Sequence, residues 1–227
     1  MDCFEDLKNL YDEMVEERGA EAYKYIHELL EKAQELRYAY LAVHAPGKDK
    51  GQSWRSFIGN NFEKLLQHII TEAIKSHEVQ VIGGRKLKGK RLSQELDAVK
   101  QNLTVNYGRF GELLPDADIV IYKPEKSRVI AVISSKTSLR ERVVQTSYWK
   151  SKFQDSEHTK HIKVYLITPD RDKDLTKVDP AKKPRIIAEI DLDGTYVLTT
   201  EALEESDNVK LFEHFIHDLK QVIEESQ

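Results

Sequence analysis

The chain has 227 residues, 40% of them hydrophobic and 33% charged, the profile of a globular protein long enough to bury a substantial core. A formal net charge of −4 excludes a uniformly basic nucleic-acid coat protein, although one basic cleft would still serve a polyanion. A single cysteine, Cys3, excludes an intrachain disulfide and suits a reducing compartment.

The opening MDCFEDLKNL is acidic and amphipathic, with neither the basic start nor the apolar stretch of a signal peptide. No apolar run reaches the roughly 18 residues of a membrane span. A cytoplasmic location without membrane association is the expectation. Residues 4–43 read as two amphipathic helices separated at Gly19, followed by an Ala45-Pro46-Gly47 linker and a long helix over about 53–76. Extended runs are predicted at 78–82, 118–122, 128–135, 162–168, 185–190 and 195–198, with a helix over 139–153 and a final one over 209–224. This order predicts an α/β fold, a mixed sheet flanked by helices. The expected division is an N-terminal helical region, 1–45, and a core, 46–227.

The stretch AVISSKTSLRER, Ala131 to Arg142, carries the chemistry. A strand that belongs in a core ends here in two serines and Lys136, and a burst of charge follows. Side chains alternate along a strand, so Ser134 and Lys136 point to one face and Ser135 to the other. The neighbouring strand begins Pro115-Asp116-Ala117-Asp118, and an acidic strand start can meet a lysine at the end of its hairpin partner. Carboxylates that hold Mg²⁺, with a lysine beside the attacking water, suit phosphodiester hydrolysis. Either Asp118, which leads directly into the apolar run, or Asp116 can supply the carboxylate; Asp118 is favoured. Downstream, arginine can bond guanine O6 and N7 in pairs and a carboxylate can accept from cytosine N4, which points Arg140, Glu141 and Arg142 toward bases. Lys150 and Lys86, the latter within the basic cluster Arg85–Arg91, suit phosphate contact. The histidines form no zinc pattern, and Asp170–Asp174 lacks the glycine and closing glutamate of a calcium loop.

The aspartate, the hairpin and the x-x-Lys strand end resemble the PD-(D/E)XK nuclease superfamily. SSKTSLRERV, together with SWRSFIGNNFEKLL at 53–66, resembles type II restriction endonucleases of the BsaWI group, which recognise a CCGG core. The resembling segments span about residues 53–150. The acidic residue expected two places before the lysine is here Ser134, which cannot act as a charged ligand. The resemblance therefore implies a recruited glutamate, Glu63 of the Phe-Glu pair or, second to it, Glu141, to hold Mg²⁺ with Asp118 while Asp116 stays in reserve. It implies a sequence-specific endonuclease for double-stranded DNA with a CCGG-like core, working as a homodimer beside a protecting DNA methyltransferase. Two rivals share the fold and differ in activity. One is a structure-specific repair or junction nuclease, the other a DNA-binding protein that has lost its metal site.

Overall fold

The computed structural model describes residues 3–137, 139 and 141–226. Two compact units divide the chain, Met1–Ala73 and Ile74–Gln227, and the long third helix groups with the first of them. That unit comprises α1 (Phe4–Arg18), α2 (Ile26–His44) and α3 (Lys50–Ala73). Each buries one stripe. Leu7, Leu10 and Tyr11 of α1, Ile26, Leu29, Ala33 and Leu41 of α2, and Trp54 through Ile70 of α3 all recur at helical spacing. Gly19, at φ 67°, ends α1 in a conformation that a side chain would strain. An Asp12–His68 contact of 2.6 Å ties α1 to α3, and Arg37 donates to Ser53 Oγ across α2 and α3.

The second unit is built on six strands: β1 (Gln80–Gly83), β4 (Ile119–Lys123), β5 (Arg128–Ser135), β6 (Lys163–Thr168), β7 (Gly194–Val197) and β8 (Val209–Leu211), adjacent in that order. Pairing is antiparallel from β1 through β5 and parallel from β5 through β8. The strands between 119 and 135 and β6 are buried on both faces, so they read as near-continuous apolar runs rather than alternating ones. A short hairpin, β2 (Val105–Asn106) and β3 (Glu112–Leu113), stands apart from this sheet.

Helices α4 (Gln94–Leu103), α5 (Arg142–Gln154), α6 (Lys183–Asp191) and α7 (Phe215–Glu225) complete the unit. Val120, Val132, Val164 and Leu166 share a core with Leu103, Val143, Phe153 and Ala188 from α4, α5 and α6. The intervening strand residues face the other way, where Tyr165 and Tyr196 meet Phe215 of α7 edge-on. Helix α5 makes the crossover that the parallel β5–β6 pair requires, and it begins seven residues after β5 ends.

Three expectations need correction. Residues 185–190 are helical, not extended: Pro184 opens α6, and Arg185, Ala188 and Leu192 bury at i, i+3 and i+7 while Ile186 and Ile190 stay exposed. The β-branched Ile-Ile pair imitates a strand only when read without its neighbours. Residues 209–211 form β8, not the start of the last helix, which begins at Phe215. Helix α4 has no counterpart among the predicted elements, although Ser93 caps it by accepting from Leu96 N.

Candidate active site

Asp118 immediately precedes β4 and is fixed by its own backbone. Its N–H donates to the Ile133 carbonyl of β5 at 3.0 Å, and its carbonyl accepts from Gly84 N at 2.8 Å. The residue is 8% exposed, and its carboxylate accepts from the Ser135 backbone N–H at 2.7 Å and from Lys136 Nζ at 2.8 Å. Lys136 follows the last residue of β5, and its N–H donates to Ile167 of β6, so both members of the pair are anchored in the centre of the sheet. The strand-end lysine and the strand-start acid of its hairpin partner therefore meet, through Asp118 rather than Asp116.

Asp116 lies two residues earlier and is half exposed. Lys88 Nζ donates to it at 2.8 Å, and Arg142 Nη1, on the first residue of α5, stands 3.9 Å away. The Lys88 hydrogen bond, opposed by burial and seconded by the charges of Lys88, Lys136 and Arg142, holds the Asp116 carboxyl below its ordinary range. Two aspartates and three cations thus adjoin on one edge. Ser134, half-buried, lines a small cavity with Asp116, Gln145, Thr146 and Trp149. Ser135 Oγ is buried with no hydrogen-bond partner, as is Trp149 Nε1.

The remaining expected residues are spread wider. Glu141 is exposed at the turn into α5, and Arg142 donates to Gln145. Arg140 lies outside the described residues. Lys86 is exposed on the turn after β1, whereas Lys150 pairs with Asp193 at 2.6 Å with both side chains largely buried. Glu63 occupies the middle of α3 in the first unit, half-buried. Among the described residues no three His, Cys, Asp or Glu side chains gather closely enough to hold a metal ion. Mg²⁺ asks less than that, since one or two carboxylates with water and substrate phosphate satisfy it. A hard-oxygen donor set beginning at Asp118 fits such an ion.

Two contributors escaped sequence reading. Lys88 is one of five cations in a run, and nothing in the spacing ties it to an acid 28 residues on. Gly84 is the other. A Cβ there would stand 2.0 Å from the Ala117 carbonyl oxygen, so only glycine lets the turn after β1 pass over the segment carrying both aspartates. The Gly83-Gly84 doublet at a strand end was the available signal.

Two solved structures share this architecture over nearly the whole chain. A restriction endonuclease PspGI–substrate DNA complex aligns with TM-score 0.53 at 14% identity, covering 96% of this chain and 93% of the other. A specific complex of restriction endonuclease AgeI with DNA aligns with TM-score 0.52 at 15% identity, covering 96% and 91%. The fold is that of the PD-(D/E)XK nucleases. Residues 95–218 match the model of the BsaWI type 2 restriction endonuclease family. MjaVIP of Methanocaldococcus jannaschii, assigned to the type II restriction enzymes, is 39% identical over 176 residues, 75% of this chain and 77% of its own length. HpyAORF263P of Helicobacter pylori, assigned likewise, is 36% identical over 133 residues, 58% and 67% of the two chains. The chain belongs to the BsaWI family of type II restriction endonucleases, which are DNA-cleaving hydrolases.

Proposed function

We propose that this enzyme cuts both strands of a short DNA palindrome with a CCGG-like core, dependent on Mg²⁺. The observation that carries the reading is the Asp118–Lys136 pair where two central strands end, with Arg142 beside Asp116. Asp118 would hold the metal, with Asp116 in reserve; Glu63 remains the carboxylate that the family resemblance points to for the missing charge. When bound, Mg²⁺ supplies Lewis-acid stabilisation of the phosphate and lowers the pKa of water. Lys136 holds the attacking water by donating to it, and Asp118 sets the position of that ammonium. Ser134 occupies the place of a carboxylate and lines the cavity beside Asp116.

Arg140, Glu141 and Arg142 read base edges, guanine through the arginines and cytosine through the glutamate. Lys86, exposed near the site, meets phosphate. Lys150 is better assigned to holding α5 onto Asp193 than to DNA. That PspGI and AgeI were each solved with DNA supports a duplex as the ligand here. A palindrome presents two equivalent scissile bonds, so a twofold homodimer is the economical assembly. A methyltransferase of the same specificity would protect host DNA.

Cleavage of phage DNA with Mg²⁺, against EDTA and against Lys136→Ala, tests this. Discrete fragments ending within a CCGG-containing palindrome, absent in both controls, are expected. Fragments without a common sequence, or cutting that survives EDTA, would overturn the reading.

A further inference from the structure

The β2–β3 hairpin carries a feature that the Asp118–Lys136 chemistry does not use. Its strands pair only Val105 with Leu113 and Asn106 with Glu112. Its tip is nevertheless closed by four hydrogen bonds: Tyr107 N to Gly111 O, Phe110 N to Tyr107 O, Gly111 N to Gly108 O, and Gly108 N to Asn106 Oδ1. Gly108 and Gly111 both adopt positive φ, which a side chain would resist. This defined tip holds Phe110 80% exposed, the most exposed large apolar side chain among the described residues. The Arg109 guanidinium lies 4.9 Å from the Phe110 ring centroid.

The hairpin is tied at both sides. Leu113 is separated from Asp116 only by Leu114 and Pro115, and at roughly 3.5 Å per residue the tip lies within about 20 Å of the site. That is about half a helical turn of duplex. On the other side, the Tyr107 and Tyr148 hydroxyls meet at 2.8 Å. Tyr148 shares the exposed face of α5 with Val144, four residues before it, and with Glu141, seven before. The Tyr107–Tyr148 contact thus sets the hairpin beside the helix whose first residue is Arg142. Glu112 is the one acid on the hairpin, against Arg109 at its tip.

We infer that the Arg109–Phe110 tip is a second contact with the substrate duplex, outside the bases read by the start of α5. Phe110 wedges against a base step flanking the palindrome, Arg109 meets the adjacent phosphate, and the Tyr107–Tyr148 pair sets the distance between this wedge and α5. Apolar wedges of this kind partly unstack a step, and pyrimidine–purine steps yield most easily. The enzyme therefore prefers flexible flanking steps that its base contacts never touch. This inference rests on the DNA-cleaving function proposed above.

The test compares wild type, Phe110→Ala and Arg109→Ala on duplexes bearing one cleavable site, with 2-aminopurine placed in turn at each flanking step. Wild type should raise the probe's fluorescence at one flanking position. Phe110→Ala should abolish that rise and weaken binding by roughly 5- to 100-fold, with its melting temperature unchanged because the ring is exposed. Arg109→Ala should lower the slope of log affinity against log salt by about 0.9, one phosphate's worth. Unchanged affinity and fluorescence in Phe110→Ala would overturn the inference while leaving the cleavage function standing. So would a change in oligomeric mass without a change in DNA affinity, which would make Phe110 a contact between copies of this chain. A wild-type protein that neither binds nor cuts DNA would remove both readings.

Discussion

Replacing Gly84 by alanine tests how the site is positioned, because it adds one methyl group and removes none of the proposed site's side chains. The new Cβ would stand 2.0 Å from the Ala117 carbonyl oxygen, and ordinary contact begins at 3.4 Å, so the two backbones must part by about 1.4 Å. The displaced atom is backbone in the peptide that leads into Asp118, and it has no rotamer through which to escape. Overpacking of this kind costs on the order of 1–3 kcal/mol, which lowers the melting temperature of a unit this size by roughly 2–12 °C. Activity should suffer more. A shift of about 1 Å at a catalytic group costs on the order of 10²-fold in rate. Thermal melts and single-site cleavage kinetics on Gly84→Ala give both quantities. Gly59→Ala is the stability control: nothing lies within 4 Å of its Cβ, and an interior helical alanine should gain about 1 kcal/mol. A Gly84→Ala enzyme that melts and cuts as wild type would refute the argument that the β1 turn sets Asp118.

Lys136→Ala should slow cleavage by roughly 10²- to 10⁴-fold while duplex affinity, measured in Ca²⁺, stays within a few-fold of wild type. Arg185 is 1% exposed and donates to the Leu175 carbonyl, Ser206 Oγ and Glu189, so Arg185→Met should destabilise by about 3 kcal/mol in urea titrations. His161 is held neutral, its pKa lowered from the ordinary 6.5 chiefly by burial and then by Arg128, against the opposing bond to the Val129 carbonyl. Its contribution to stability is complete above pH 6.5 and declines as pH falls below that value, where the unfolded chain binds the proton more readily. Wild type should lose more stability between about pH 7 and pH 5 than His161→Gln does; parallel urea midpoints would contradict this.

The Asp118–Lys136 pair was legible because both partners sit at ends of adjacent strands, and strand ends announce themselves by apolar runs meeting charge. Asp118 could be preferred over Asp116 for the same reason. What crosses long stretches of chain was not legible. The Lys88–Asp116 bond and the Gly84–Ala117 contact join segments 28 and 33 residues apart and leave no mark in local spacing. Lys150 shows the converse: a lysine two turns into α5 reads as a phosphate contact until Asp193 is found beside it. Residues 185–190 mislead because two isoleucines outweigh the proline ahead of them. Strand β8 has only three residues, too few to display alternation.

Asp118 and Lys136 are carried by one unbroken segment, two strands joined by a single turn at Pro124–Ser127. Their meeting depends on a contact of low sequence separation, so loop closure costs little and the pair can form as soon as that hairpin does. The elements proposed to read DNA, the start of α5 and the β2–β3 tip, lie just outside the segment on either side. With the proposed assignments, such a layout separates inheritance of the cutting chemistry from inheritance of the target. Substitutions in the flanking elements can retune which sequence is cut while the hairpin between them passes on intact.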